Sequence, residues 1–212
     1  MKYGLTQQQI VDMLNCLSAA QQTYLSDTSH YFSFGGGSHA SKRWGISESG
    51  GTYSTASPFL PAVYTDWIRA AAYADWTALR PMTELEFEKA CRGFNTPVVD
   101  ECAWGNASID LSDNLLLTNI SLLNEQIASG YDSSGTSGNT WVRSGSQNMP
   151  YVARVGIFAA HPANTGRVSS GASYWGIMEL SGNAWERVVS VGHPEGRKYT
   201  GQHGDGDLDA SG

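Results

Sequence analysis

A chain of 212 residues that is 41% hydrophobic and carries seven Trp has the length and the material for one sizeable core. A formal charge of −7, with only 13 Lys and Arg scattered along the chain, argues against a surface that tracks nucleic-acid phosphates. No apolar run approaches the roughly 20 residues that span a bilayer, and Met1–Ile10 lacks a basic segment followed by an apolar stretch, so the sequence argues against membrane insertion as well.

The N-terminal pattern is helical. Thr6 with Gln9 fits a capping box, and Ile10, Val11, Met13, Leu14 and Leu17 recur at helical spacing, which predicts a helix over about residues 7–19. Residues 31–57 are dominated by Gly, Ser, Thr and aromatics and read as loop with short strands at most. Thr65 is placed to cap a second helix with Ile68, Ala71, Ala72 and Trp76 on one face, stopped by Pro81. Thr83 with Glu86 is another capping box, and Leu85, Phe87, Ala90 and Cys91 predict a short helix that Gly93 ends. About three helices therefore fall in the first half.

Residues 105–150 read mostly as irregular surface, rich in Ser, Asn and Gly. Alternation predicts strands over 152–157 and 185–191, and the tail from Gly201 carries no packing signal. Cys16, Cys91 and Cys102 form no CxxC pair; Cys16 and Cys91 are expected to be buried thiols. The five histidines show no metal spacing and read as surface or satisfied core residues. Asp205, Asp207 and Asp209 alternate, but Ala210 stands where an EF-hand loop needs Gly, so a solvated acidic turn is expected.

Two motifs say more together than apart. Arg80-Pro81-Met82-Thr83-Glu84-Leu85-Glu86-Phe87-Glu88-Lys89-Ala90-Cys91-Arg92-Gly93 resembles the R-L-P-T-E-x-E-W-E-x-A-x-R-G signature of the formylglycine-generating-enzyme, or sulfatase-modifying-factor, family. Gly176-Ile177-Met178-Glu179-Leu180-Ser181-Gly182-Asn183-Ala184-Trp185-Glu186 resembles its G-L-x-D-M-x-G-N-x-W-E signature. Met1 to Leu17, Trp67 to Trp76 and Ala103-Trp104-Gly105-Asn106 add weaker matches in the family's order.

The resemblance implies a C-type-lectin-like α+β fold, rich in loops with few short strands, formed by residues 1–212 as a single domain that lacks part of the family domain at both ends. It also implies calcium, held by the side chain of Glu179, the carbonyls of Gly182 and Ala184, and the carboxylate of Glu186, since calcium takes six to eight hard oxygens. The family more often has Asn or Asp at the position of Glu179. A second family calcium site falls in the stretch that residues 107–150 do not match.

The family's enzymes oxidise a substrate cysteine with copper(I) held by two cysteines downstream of the second signature, and soft thiolates suit that ion. Here no cysteine follows Cys102, so no catalytic residue is assigned. Gly196 to Asp209 resembles a segment of the retroelement-diversified variable proteins of phages and bacteria. The expectation is a non-catalytic, calcium-stabilised display scaffold that binds a protein or glycan on a cell surface, on a phage particle or outside the cell. The alternative is a fragment of a copper-dependent formylglycine-generating oxidoreductase acting on sulfatase cysteine.

Overall fold

The computed structural model describes residues 1–26, 43–63, 65–111, 115–142 and 152–208. Helices α1 (Gln7–Cys16) and α2 (Ala19–Ser26) are followed by a hairpin of β1 (Ile46–Ser49) and β2 (Thr52–Thr55), then by α3 (Trp67–Trp76) and α4 (Glu84–Arg92). Four short strands come next, β3 (Ile109–Leu111), β4 (Leu116–Thr118), β5 (Gln126–Ser129) and β6 (Gly138–Thr140), and a 3-10 turn spans Gly196–Lys198. The described chain is thus α+β, with four helices where about three were expected and with three two-stranded sheets. No helix among the described residues is long and apolar enough to cross a membrane.

Capping chemistry sets most helix starts. Thr6 and Gln9, and Thr83 and Glu86, form reciprocal boxes at α1 and α4, and Gly93 at φ 70° closes α4. The additional helix, α2, starts at a third such exchange: Ser18 N–H donates to Gln21 Oε1 at 2.9 Å and Gln21 N–H to Ser18 Oγ at 3.4 Å. That Ser-x-x-Gln pattern is in the sequence, but of this helix only Leu25 is buried, so hydrophobic periodicity gave no sign of it. Asp66, not Thr65, caps α3 by accepting from Arg69 N–H at 2.8 Å, while the Thr65 hydroxyl donates to Ala62 O. The inward face of α3 also differs from expectation. Arg69, Ala72 and Tyr73 are buried and Ile68 is exposed, because the Arg69 guanidinium is matched by Asp66 and by Leu25 O.

One core cluster packs Ile10, Val11, Met13 and Leu14 of α1 against Trp44, Ile46 and Tyr53 of the hairpin region and Tyr73 of α3. Cys16, expected to be buried, is exposed, as it lies off this inward stripe. The hairpin turn is Gly50-Gly51 at φ 60° and 78°, and two successive left-handed residues are what a two-residue hairpin loop needs. A second cluster joins Leu115, Ile127 and Trp141 to Ala153, Ile157 and Phe158. The described parts of 105–150 are therefore less irregular than their composition suggests: β3 pairs β6 in parallel and β4 pairs β5 antiparallel, while residues 112–114 and 143–150 lie outside the described residues.

The strands expected over 152–157 and 185–191 do not form. In the first, the backbone finds side chains instead of a neighbouring strand. Asn183 brackets Ala153, accepting from its N–H at 2.9 Å and donating to its carbonyl at 3.0 Å. Arg154 N–H donates to Glu125 Oε1 at 2.8 Å, and Gly156 N–H to Glu179 Oε1. The second is irregular chain with a single bridge, Thr83 to Val189. The tail is packed as far as it is described: Gly204 N–H reaches Leu79 O at 2.8 Å, the Tyr199 hydroxyl reaches Pro81 O at 2.8 Å, and Leu208 is buried in the first cluster. Asp205 and Asp207 are exposed in a turn, while Asp209 lies outside the described residues.

Candidate functional site

The residues that flank the second signature on both sides bond to the first. Val189 N–H donates to Met82 O at 2.9 Å and Glu84 N–H to Val189 O at 3.0 Å. At the other end of α4, Tyr174 N–H donates to Cys91 O at 2.9 Å, and the Trp175 indole donates to Lys89 O at 3.1 Å. A Cβ at Gly93 would collide with the Tyr174 ring, so glycine there both ends the helix and admits the second segment.

From Ser173 to Glu186 the chain is a series of turns and bends with no helix. Gly176, Glu179, Gly182 and Asn183 all have positive φ, and Glu179 at 67° is a conformation that a side-chain-bearing residue seldom adopts. Tertiary contacts hold it there. Met178 N–H donates to Lys2 O at 2.9 Å and its side chain is buried, while Asn183 is fixed on Ala153. At Gly182 a Cβ would collide with Thr140 Oγ1, whose hydroxyl donates to Ser181 O.

Glu179, Gly182, Ala184 and Glu186 therefore lie along one bent loop. Glu179 is 8% exposed; Oε1 accepts from Gly156 N–H, and Oε2 is buried with no hydrogen-bond partner among the described residues. Burial pushes its pKa up to about 7, against the smaller opposing pull of the Gly156 and Gly4 amides and of Arg154. The Gly4 amide favours the charged carboxylate from nearby, yet no donor among the described residues bonds to Oε2. Glu186 has an exposed surface as a residue, yet enough protein surrounds its carboxyl that desolvation, with a contribution from the charge of Glu179, pushes its pKa up to about 8. Glu186 thus feels the charge of Glu179, and no cationic side chain among the described residues forms a salt bridge with either carboxyl. The Gly182 carbonyl accepts from Ala184 N–H at 2.9 Å, which leaves it a second lone pair. Among the described residues no three His, Cys, Asp or Glu side chains converge as a metal-holding group, so further ligands for an ion here would be carbonyls or waters.

Cys91 and Cys102 are half-buried and form no disulfide. Burial, then the charges of Glu88 and Glu186, push the Cys91 thiol up to about 12, and burial raises Cys102 as well, so both are neutral thiols near pH 7.

A surface feature that the sequence motifs did not single out adjoins the loop. Phe94, Tyr174 and Trp175 meet edge to face, with centroids 5.4 Å apart for Phe94–Trp175, 4.9 Å for Tyr174–Trp175 and 6.2 Å for Phe94–Tyr174. All three are exposed, Lys89 lies over the Phe94 ring and Arg167 over the Tyr174 ring, and Trp185 is fully exposed. Phe94 directly follows the first quoted signature and Tyr174-Trp175 directly precede the second, but aromatic composition alone does not tell a surface ring from a core one.

The fold is a mixed α+β domain in which a capped helix and a turn-rich acidic loop are stitched together. Residues 1–207 match the family model of the Sulfatase-modifying factor enzyme 1-like domain, and the chain belongs to that family. No curated protein and no solved structure matches the chain.

Proposed function

We propose that this chain is a non-catalytic ligand- or receptor-binding scaffold with a C-type-lectin-like fold, a single domain stabilised by calcium, in the style of the variable proteins that phages and bacteria diversify. The binding part is carried by the exposed aromatic cluster of Phe94, Tyr174 and Trp175. Three large rings braced against one another, with Trp175 also held through Lys89 O, lose little freedom on binding, and such aromatics dominate protein and glycan contacts.

The calcium part is supported by the buried, unpartnered Oε2 of Glu179. An orphaned carboxylate oxygen is costly, and it suits a hard cation shared with Glu186 and the carbonyls of Gly182 and Ala184. When bound, the ion would supply charge compensation that lets both carboxyls ionise. Glu179 itself would fix the loop through Gly156, joining residues 153–156 to the second signature.

Arrays of glycans and of bacterial surface proteins test the binding reading. A saturable hit is expected, lost in Trp175→Ala, while mass spectrometry of a sulfatase-derived cysteine peptide incubated with the protein, copper(I) and oxygen should show no formylglycine. Conversion of that peptide, with no array hit, would establish the oxidoreductase reading instead.

A further inference from the structure

A cavity of about 210 Å³ lies between the turn leading into β5 and the turns near Arg154 and His161. At about 30 Å³ per water it has room for roughly seven waters, or one small organic molecule. Leu123, Ile127, Ile157 and Pro162 give it an apolar side. Its cation is Arg154, whose Nε donates to Glu125 O at 2.8 Å and whose backbone N–H donates to Glu125 Oε1 at 2.8 Å. The Nη1 and Nη2 atoms have no hydrogen-bond or ion-pair partner among the described residues. Glu125 does not occupy them, because Arg43 and Ser121 N–H take its other oxygen.

His161 lines the same cavity and stacks on Tyr131, with centroids 3.9 Å apart and planes at 14°. Its Nδ1 accepts from Ala163 N–H at 3.2 Å, and burial lowers its pKa, so near pH 7 the ring is neutral with Nε2 as its donor nitrogen.

We infer that this cavity binds a small organic carboxylate, its two oxygens on the Nη1/Nη2 end of Arg154 and its apolar body against Ile127 and Ile157. A guanidinium already pinned through Nε surrenders little further freedom, and its planar end matches a carboxylate in bidentate fashion. A monoanion is favoured over a dianion because one guanidinium supplies the charge and the Glu179 carboxyl also feels it. The cavity is lined by no residue of the 173–186 loop, and work in chelator separates it from the calcium reading.

The test is titration calorimetry on the full chain in chelator, so that a cation site contributes nothing, with isobutyrate as the probe and isobutyramide as its uncharged counterpart. Saturable isobutyrate binding is expected, with the amide weaker by about tenfold or more. Arg154→Lys keeps the charge, loses the planar end and should weaken isobutyrate by about tenfold. Ala160→Trp, at an exposed position on the rim, should abolish binding with an unchanged melting temperature, and it decides the matter even if the Arg154 variant fails to fold. Competition by glucuronate supports a sugar acid as the natural source, and competition by N-acetyl-leucine a peptide terminus. No saturable binding of isobutyrate, binding indifferent to Ala160→Trp, or tighter binding of inorganic phosphate would overturn the assignment.

Discussion

In chelator, the melting temperature is expected to fall as the pH rises from about 5 to about 9, and calcium to abolish that fall. The sign follows from Glu179 and Glu186, whose folded pKa values of about 7 and about 8 lie above the ordinary 4.5. A carboxyl raised in the folded state holds its proton there after the unfolded chain has released it. Its stabilising effect is complete below the unfolded pKa and is lost as the pH climbs through the folded one. For Glu179, buried and short of a partner, the shift corresponds to roughly 3 kcal/mol, or about 6–12 °C in a domain of this size. Glu186 has too exposed a surface for a figure to be attached to it. Calcium must displace these protons, so its stabilisation grows with pH. Glu179→Gln should flatten the chelator profile and remove most of the calcium effect. Differential scanning calorimetry with and without calcium decides this, and an unchanged calcium effect in Glu179→Gln would show that any bound ion sits elsewhere.

Glu125→Ala is expected to destabilise the fold by about 3–5 kcal/mol in urea denaturation, the range for removing one partner of a buried ion pair. The Glu125 side chain is fully buried and accepts from Arg43, from Ser121 N–H at 2.8 Å and from Arg154 N–H at 2.8 Å. Truncation leaves a guanidinium whose side chain is 7% exposed, together with two amide donors, short of an acceptor. Arg43 Nε has no partner among the described residues, so the pair is imperfect as a source of stability, yet breaking it on one side remains expensive. Glu125→Gln keeps the shape and one acceptor and should cost less. A loss under about 1 kcal/mol in the Ala variant would mean that water enters and solvates Arg43.

How much of this was legible in the sequence depended on where each segment's backbone finds its partners. The α1 and α4 starts were, because a capping box is local and its partners are three residues apart. The α2 box at Ser18 and Gln21 was equally local, but with Leu25 as its one buried residue it had no apolar stripe to draw attention. Residues 152–157 failed as a strand for the opposite reason. Their apolar pattern was real, and Val152, Ala153 and Ile157 are buried, but the amides of Ala153, Arg154 and Gly156 are satisfied by Asn183, Glu125 and Glu179, residues distant in sequence whose approach no periodicity encodes. Asn139 acts in the same way, accepting from Asp132 N–H and donating to Asp132 O and Ser169 O. In a domain with few ladders, side-chain amides and carboxylates take the place of neighbouring strands.

At the candidate site, the residue identities along Gly176–Glu186 were legible from the signature. The left-handed conformation of Glu179 and its stranded Oε2 were not, because both follow from contacts with Lys2, Gly4 and Gly156. The Arg154 cavity was equally invisible, since Arg154 is fixed by Glu125, twenty-nine residues earlier in the chain.

The most direct measurement is long-wavelength anomalous diffraction from crystals grown with calcium. An anomalous peak is expected about 2.3–2.6 Å from Glu179 Oε2, with Glu186 and the Gly182 and Ala184 carbonyls completing the shell together with water. A map with no such peak, in which Oε2 instead bonds to a lone water or a repositioned amide, would contradict a cation at this loop.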